Sequence, residues 1–419
     1  MTASSLCVRC LSRSAHPPVR ALRVFASAVY VLALIARPSV VVAQTSVAVA
    51  PSTRVSVTVA PVWQSWSFAK RIPLDSIRVG GVTQISAPFS VFAPLGARWS
   101  ATVDGAVASS TLDATSGSGK VTRSFTGLTD LRVRATGQLI GDALRVTFGV
   151  NVPTGTSDLS PVQNDVIRVT AAPALNAHVP IYGTGFGATA GLVYARFIGA
   201  WAWALGASVE KRGQYAPLDA QIAGADARTE LDPGGALHFS LGGDGLVGGN
   251  RLLLGVVSDF YGEDQLRRAL AGGASITQRF QLGPTISIGA ALEIKSERFR
   301  DLTLRVNERY RAGFTDSSGT SVSGSSGNYL DIGMSGLRGA PNRPSLLLGV
   351  NARHHTGLPI DKGLIGAGLT AAAVTVGAVI PTAGLTYTAH AELSMGSVKT
   401  QLVTSGMTSL TLGLTVRRQ

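Results

Sequence analysis

The sequence predicts an all-β protein: a transmembrane, antiparallel, up-and-down β-barrel of about 16 strands, with 14 as the nearest alternative. Three observations carry this prediction. The 419 residues are 45% hydrophobic but only 15% charged, whereas soluble domains average roughly a quarter charged. Glycine is frequent, at 49 residues, and mean hydropathy is positive at +0.26. The apolar residues do not gather in the runs of about 20 that bilayer-crossing helices require. They alternate with polar or small residues instead.

The first element is a leader. Arg9, Arg13, Arg20 and Arg23 are basic, no acidic residue precedes residue 44, and Val24 to Ala36 is an apolar stretch of signal-peptide length. Val41-Val42-Ala43 supplies small residues before a cleavage site, so residues 1–43 are predicted to be a cleaved signal peptide and 44–419 the barrel. An uncleaved anchor helix suits the segment less well, because Arg37 and Pro38 interrupt it. Both cysteines, Cys7 and Cys10, leave with the leader, which removes disulfides and thiolate metal sites from consideration. The formal charge of +13 falls to +8 when the five leader arginines go. The remaining basic residues are dispersed and no nucleic-acid motif appears, so nucleic acid is not an expected partner.

Strands follow from alternation, because successive side chains of a strand point to opposite faces. In Thr285 to Lys295, Ile286, Ile288, Ala290, Leu292 and Ile294 share one face, while Ser287, Gly289, Glu293 and Lys295 share the other. The same division predicts strands near 54–66, 82–93, 98–108, 127–137, 143–152, 185–196, 200–210, 234–243, 250–260, 272–282, 285–295, 328–337, 344–353, 365–378, 384–394 and 407–417. Short turns are expected at 93–96, at QLIGD, FIGA, GLVGGN, LGP and RGAPNR. Long polar loops are expected after Ala108 and over 296–327.

Two segments admit other readings. Asn164 to Leu175 resembles a strand by itself, but counting it reverses the order of turns and loops downstream. Pro153 to Thr184 is therefore read as one long outer loop. Gly363 to His390 is nearly uncharged, yet Pro381 and its Gly, Thr and Val content favour two strands over a helix. Only about ten residues precede the first strand after residue 44, too few for a plug domain. Trp63, Trp66, Phe68, Trp99, Trp201 and Trp203 near strand ends are expected in the aromatic girdles of the two membrane interfaces.

The stretch Phe125 to Leu159 carries Gly127, Asp130 and Pro153-Thr154-Gly155, followed by Gly183-Thr184-Gly185. With this pattern the chain resembles the outer-membrane transporter family of the phenol-degradation meta-pathway, among barrels related to long-chain fatty-acid transporters. The resemblance covers about 60 residues and implies transport. In physical terms, Gly127 and Gly155 would serve turns needing unusual dihedral angles, and Pro153 would end a strand at the rim. The chain departs from fatty-acid transporters in having no room for an N-terminal hatch. It also ends Val416-Arg417-Arg418-Gln419 rather than on an aromatic residue.

Alternation assigns Arg132, Arg134, Arg145, Asn151, Arg279, Glu293, Lys295, Asp331 and Arg353 to a candidate pore lining, with Arg98, Asp104, His238, Asp259, His390, Glu392 and Arg417 on the same face. Clustered basic residues there would favour anions, and Arg132, Arg134 and Arg145 stand on strands joined by a short turn. A barrel phospholipase is the enzymatic alternative, but no serine has a nucleophile context, and no cofactor or metal is expected. His354-His355 reads as a solvent-exposed loop pair. The expectation is a non-enzymatic outer-membrane channel or transporter for small hydrophobic or anionic solutes, its partners being membrane lipid and the solute. The alternative is a structural or surface-interaction barrel with a closed lumen.

Overall fold

The computed structural model describes residues 54–418 apart from 75, 118, 142, 219–220, 223–224, 227, 270–273, 317, 323, 358–363 and 365. The predicted leader lies outside the described residues. Sixteen antiparallel strands close into one barrel. They are β1 (Ser56–Val59 and Val62–Leu74), β2 (Ile77–Leu95), β3 (Trp99–Ser116), β4 (Gly119–Leu128 and Leu131–Ile140) and β5 (Leu144–Val152). After a long connection come β6 (Gly187–Ile198), β7 (Trp201–Arg212), β8 (Ala236–Val247), β9 (Asn250–Tyr261), β10 (Thr285–Ile294) and β11 (Arg300–Arg311). The wall is completed by β12 (Gly327–Arg338), β13 (Ser345–His355), β14 (Gly368–Thr382), β15 (Leu385–Lys399) and β16 (Thr404–Arg418). Closure is made by β1 against β16, from Val62↔Gly413 to Phe68↔Met407.

Two strands are interrupted, each for a local reason. Pro61 has no N–H to give the ladder, so β1 breaks at Ala60–Pro61. The Pro61 carbonyl still accepts from the Leu414 N–H, and the Ala60 N–H donates to the Pro88 carbonyl. In β4 the break falls at Thr129–Asp130. The Thr129 hydroxyl replaces a backbone acceptor for the Ala106 N–H at 2.8 Å, while the Asp130 N–H leaves the wall and donates to the Tyr182 carbonyl.

Short connections gather at one end of the barrel, as at 95–99, 140–144, 198–201, 247–250 and 382–385. Val57 pairs with Arg418 there, so the first strand begins and the last strand ends at this turn end. The opposite, loop end carries a second, five-stranded sheet of Tyr215–Leu218, Thr229–Asp232, Glu263–Ala269, Ser275–Gln281 and Thr315–Asp316. Among the described residues no helix is long and apolar enough to cross a membrane. Gly363 to His390 supplies parts of β14 and β15 as expected, with Pro381 one residue from the end of β14. No separate plug domain is present among the described residues.

The strand number agrees with the alternation, but two offsetting differences lie beneath it. Of the predicted strand 272–282, Ser275–Gln281 forms a rim strand, paired to Glu263–Ala269 outside the barrel, and residues 272 and 273 lie outside the described residues. Its place in the wall is taken by β11, inside the segment read as a long loop. That segment looked like a loop because six of the twelve residues of β11 are charged, although Leu302, Leu304 and Val306 alternate with Thr303, Arg305 and Asn307. The LGP turn consequently falls at the loop end. The polar stretch after Ala108 is also strand: β3 and β4 continue as a hairpin to Ser116 and Gly119. Its small and β-branched polar residues suit a strand with both faces away from lipid.

Candidate functional site

The site is the barrel lumen, and what divides it is the connection between β5 and β6. Residues 153–186 form one connection, as the turn and loop order required, and this connection folds inward. It contains a helix, α1 (Pro161–Thr170), where the sequence suggested a possible strand. The helix starts on a capping box: Gln163 N–H donates to Ser160 Oγ, and Ser160 N–H donates to Gln163 Oε1 at 2.9 Å. Pro161 at its first position needs no hydrogen-bond acceptor. The Ser-Pro-x-Gln signal was present in the sequence and outweighs the β-branched residues that follow.

The inward connection packs on the inner faces of β1 to β4 and β14 to β16. Val166, Val169, Leu175, Val179 and Tyr182 join Ile72, Leu74, Ile77, Val79, Leu112, Leu369, Val398 and Met407 in one buried apolar cluster. Trp66 and Phe68 belong to it too. Trp66, 2% exposed, donates from Nε1 to the Leu175 carbonyl at 3.0 Å. The predicted girdle placement of these two residues is therefore corrected: their face of β1 points inward, where an apolar partner waits. Trp99, Trp201 and Trp203 do lie on the outer face at the turn end, the last two stacked with ring centroids 5.8 Å apart.

Polar groups fix the connection to the wall. Gln64 and Gln84 are register partners on β1 and β2. Gln64 Oε1 accepts from the His178 N–H at 2.8 Å. Gln84, fully buried, accepts from the Val179 N–H at 3.0 Å and donates to the Val179 carbonyl at 2.7 Å. A side-chain amide thereby stands in for a neighbouring strand. Ser110 and Tyr182 hydroxyls are 2.9 Å apart, and Arg123 pairs with Asp165 of α1. Burial, and then the nearby His390, holds the His178 imidazole down at about 4.

Asp130 gathers the two stems of the connection. Its carboxylate accepts from Gly155 N–H at 3.0 Å, Thr184 N–H at 2.7 Å and Asn151 Nδ2 at 3.0 Å. Thr154 Oγ donates to the Thr129 carbonyl and accepts from the Leu131 N–H. The residues that carried the family resemblance thus meet at one place. Gly155, however, has no positive φ. A Cβ there would lie 2.1 Å from the Tyr182 carbonyl oxygen, so the glycine serves close approach of two backbones rather than a turn.

The rest of the inner wall is polar. His238 Nδ1 lies 2.8 Å from Asp259 and its Nε2 lies 3.5 Å from Glu210. Arg251 makes a two-point contact with Asp244 at 2.6 and 2.9 Å, and reaches Glu293 at 3.5 Å. Arg132 stands in register with Asp104 and Asn151, and Arg134 with Thr102 and Gly149. Arg145 pairs with Gln138, closer to the turn end, so the three arginines are spread along the wall. Asn151 is engaged by Asp130 and the Gly185 carbonyl. Asp331 and Arg353 face one another on β12 and β13. Arg279 lies on the rim strand, 3.6 Å from Glu263. Lys295 follows the end of β10 and lines a turn-end cleft of ≈460 Å³ with Arg251, Glu293 and Arg300.

Alternation along β11 adds Arg305, Asn307, Arg309 and Arg311, in register with the inner face of β10 and β12. The sequence reading passed over them with the strand that carries them. His354 and His355 are corrected as well: both belong to β13, not to a loop. His354 Nδ1 lies 3.0 Å from the Thr370 hydroxyl. His355, 6% exposed, points the other way, toward Asp331 and the edge of the Tyr329 ring.

No protein-family model matches the chain, and no curated protein sequence does. The resemblance drawn from Phe125 to Leu159 is therefore not carried by a family model. Comparison with solved structures matches several outer-membrane channels. A mutant of the TodX monoaromatic hydrocarbon channel is 10% identical with a TM-score of 0.45, covering 87% of this chain and 90% of its own. OprB of Pseudomonas putida is 13% identical with a TM-score of 0.40, covering 86% and 93%. OccK1 of Pseudomonas aeruginosa is 10% identical with a TM-score of 0.39, covering 86% and 98%. Likeness at this level carries no conclusion about shared function, and the substrates named for those proteins are theirs.

Proposed function

We propose that the chain is a non-enzymatic outer-membrane channel for small solutes, exported by a cleaved leader. One observation carries this reading: a closed 16-strand wall is apolar outside and charged inside. Outward Leu192, Leu205, Ile288, Val350, Val374 and Leu412 are exposed, as a lipid-facing belt requires. Barrels of this strand number enclose an aqueous space. The turn end is then periplasmic and the loop end faces outward. The inserted connection 153–186 narrows that space from one side, leaving a polar wall along β7 to β13 for hydrophobic or anionic solutes small enough to pass. The arginines of that wall offer a surface for the anionic ones.

Single-channel current in planar bilayers tests this. Discrete conductance steps are expected from folded protein. Heat-modifiable gel migration without any current or solute uptake would replace the channel by a barrel with a closed lumen. The five-stranded rim sheet supports that second reading, because it raises a surface beyond the barrel at the loop end.

A further inference from the structure

The wall of β11 to β13, with β15 two strands on, holds a group of polar atoms whose partners are missing. Arg353 is 9% exposed, yet its Nη1 has no hydrogen-bond partner. Asp331, its register partner, and Glu392 on β15 supply countercharge without filling that position. The amide oxygen of Asn351, two residues before Arg353 on the same face, is also buried and unpaired, as is the Ser394 hydroxyl on β15. Gly333 lies between Arg305 and Asn351 in register. Arg305 Nε and Asn351 Oδ1 converge over it, at 3.0 and 3.4 Å from where a Cβ would sit. A buried guanidinium with an unused N–H is costly unless something accepts from it.

We propose that Arg353, Arg305, Asn351 and Ser394 form a binding station for the carboxylate of a small organic anion in transit. A guanidinium offers paired donors at the spacing of two carboxylate oxygens. An amide can turn to present its NH2 instead of its oxygen, since the two are nearly isosteric, and the Ser394 hydroxyl is a further donor. Gly333 leaves the room in which Arg305 Nε and Asn351 Oδ1 meet. The inference deepens the channel reading and rests on it only in taking the inner face as accessible to solute.

Calorimetric titration of the full-length protein in detergent with sodium benzoate tests the station without needing current. Saturable binding is expected, weakened at least tenfold in Arg353→Gln. Lys120→Gln removes the same charge from the hairpin tip of β4 and is expected to bind as the unaltered protein does. Gly333→Val keeps every charge and is expected to weaken binding by filling the room. It also supplies the test if Arg353→Gln fails to show heat-modifiable migration. Absence of binding, or equal binding in Arg353→Gln, Gly333→Val and Lys120→Gln, would overturn the station and mean that water occupies these positions. Inorganic phosphate binding more tightly than benzoate would overturn the carboxylate assignment. Binding without any bilayer current would remove the channel and keep the station.

Discussion

The two halves of the inner wall are built on opposite principles. Along β1 to β4 the inward side chains are Trp66, Phe68, Val82, Gln84, Ala108, Ser110 and Leu112, and the connection 153–186 lies over them. Along β7 to β12 they are Glu210, His238, Asp259, Arg251, Glu293 and Asp331, held mostly by pairs of opposite charge. The first half derives its order from apolar burial and from hydrogen bonds with few alternatives. The second is wet, and its ion pairs exchange with water at little cost. The same alternation of faces therefore produces a seat for a loop on one side and a surface for solute on the other.

The largest expected effect comes from breaking the seat at its tether. Asp130→Ala removes three short acceptor contacts and leaves the Gly155 and Thr184 N–H groups unpaired, at a cost of about 3 kcal/mol. The connection should leave the wall. A several-fold rise in single-channel conductance would show this, with barrel closure still reported by heat-modifiable migration. Unchanged conductance would mean that the seated connection does not limit the passage.

Gln84→Ala should cost somewhat less, about 2 kcal/mol, because it orphans both backbone groups of Val179 in a fully buried position. Faster proteolysis within 171–182 is the expected readout. A third effect is pH-dependent. His178 is held near 4 while seated and returns toward about 6.5 when released. Its contribution to seating is therefore complete above pH 6.5 and declines as pH falls toward 4. Conductance should rise over that interval, and His178→Gln should flatten the profile.

The smallest effect belongs to the wet half. Arg251→Gln breaks a partly exposed pair with Asp244 and Glu293, which contributes no more than about 1 kcal/mol. Thermal unfolding should hardly move. The reversal potential in a salt gradient should shift toward cations, since a lumen cation is lost and two carboxylates are freed.

Much of the wall was legible in the sequence because a strand's two faces are written residue by residue. Ile286, Ile288 and Leu292 against Ser287, Gly289 and Glu293 needed no tertiary information. Segment 300–311 was not legible, because its inward residues are arginines and an inward arginine in a wet lumen has the composition of a loop. Segment 272–282 failed for the reverse reason: alternation marks a strand but not which sheet it joins. The lumen insertion was legible as a connection of the right length and hidden as a structure. The partners of Trp66 and Gln84 are Leu175 and Val179, about a hundred residues away, and no local pattern announces that pairing. Asp130 was singled out, yet its task of joining Gly155 to Thr184 emerges only when both stems are seen together.

The seat also carries an order of assembly. The hydrogen bonds and the ion pair that anchor residues 165–184 come from Gln64, Trp66, Gln84, Ser110, Asp130 and Arg123, all of which precede the connection in the chain. A growing sheet of the first four strands already presents them. Leu369, Val398 and Met407, from β14 to β16, add only apolar contact at the end. The inserted segment can settle on an open, curved sheet, and the last strands can then close over an object already in place. Threading a helix into a finished cylinder is never required.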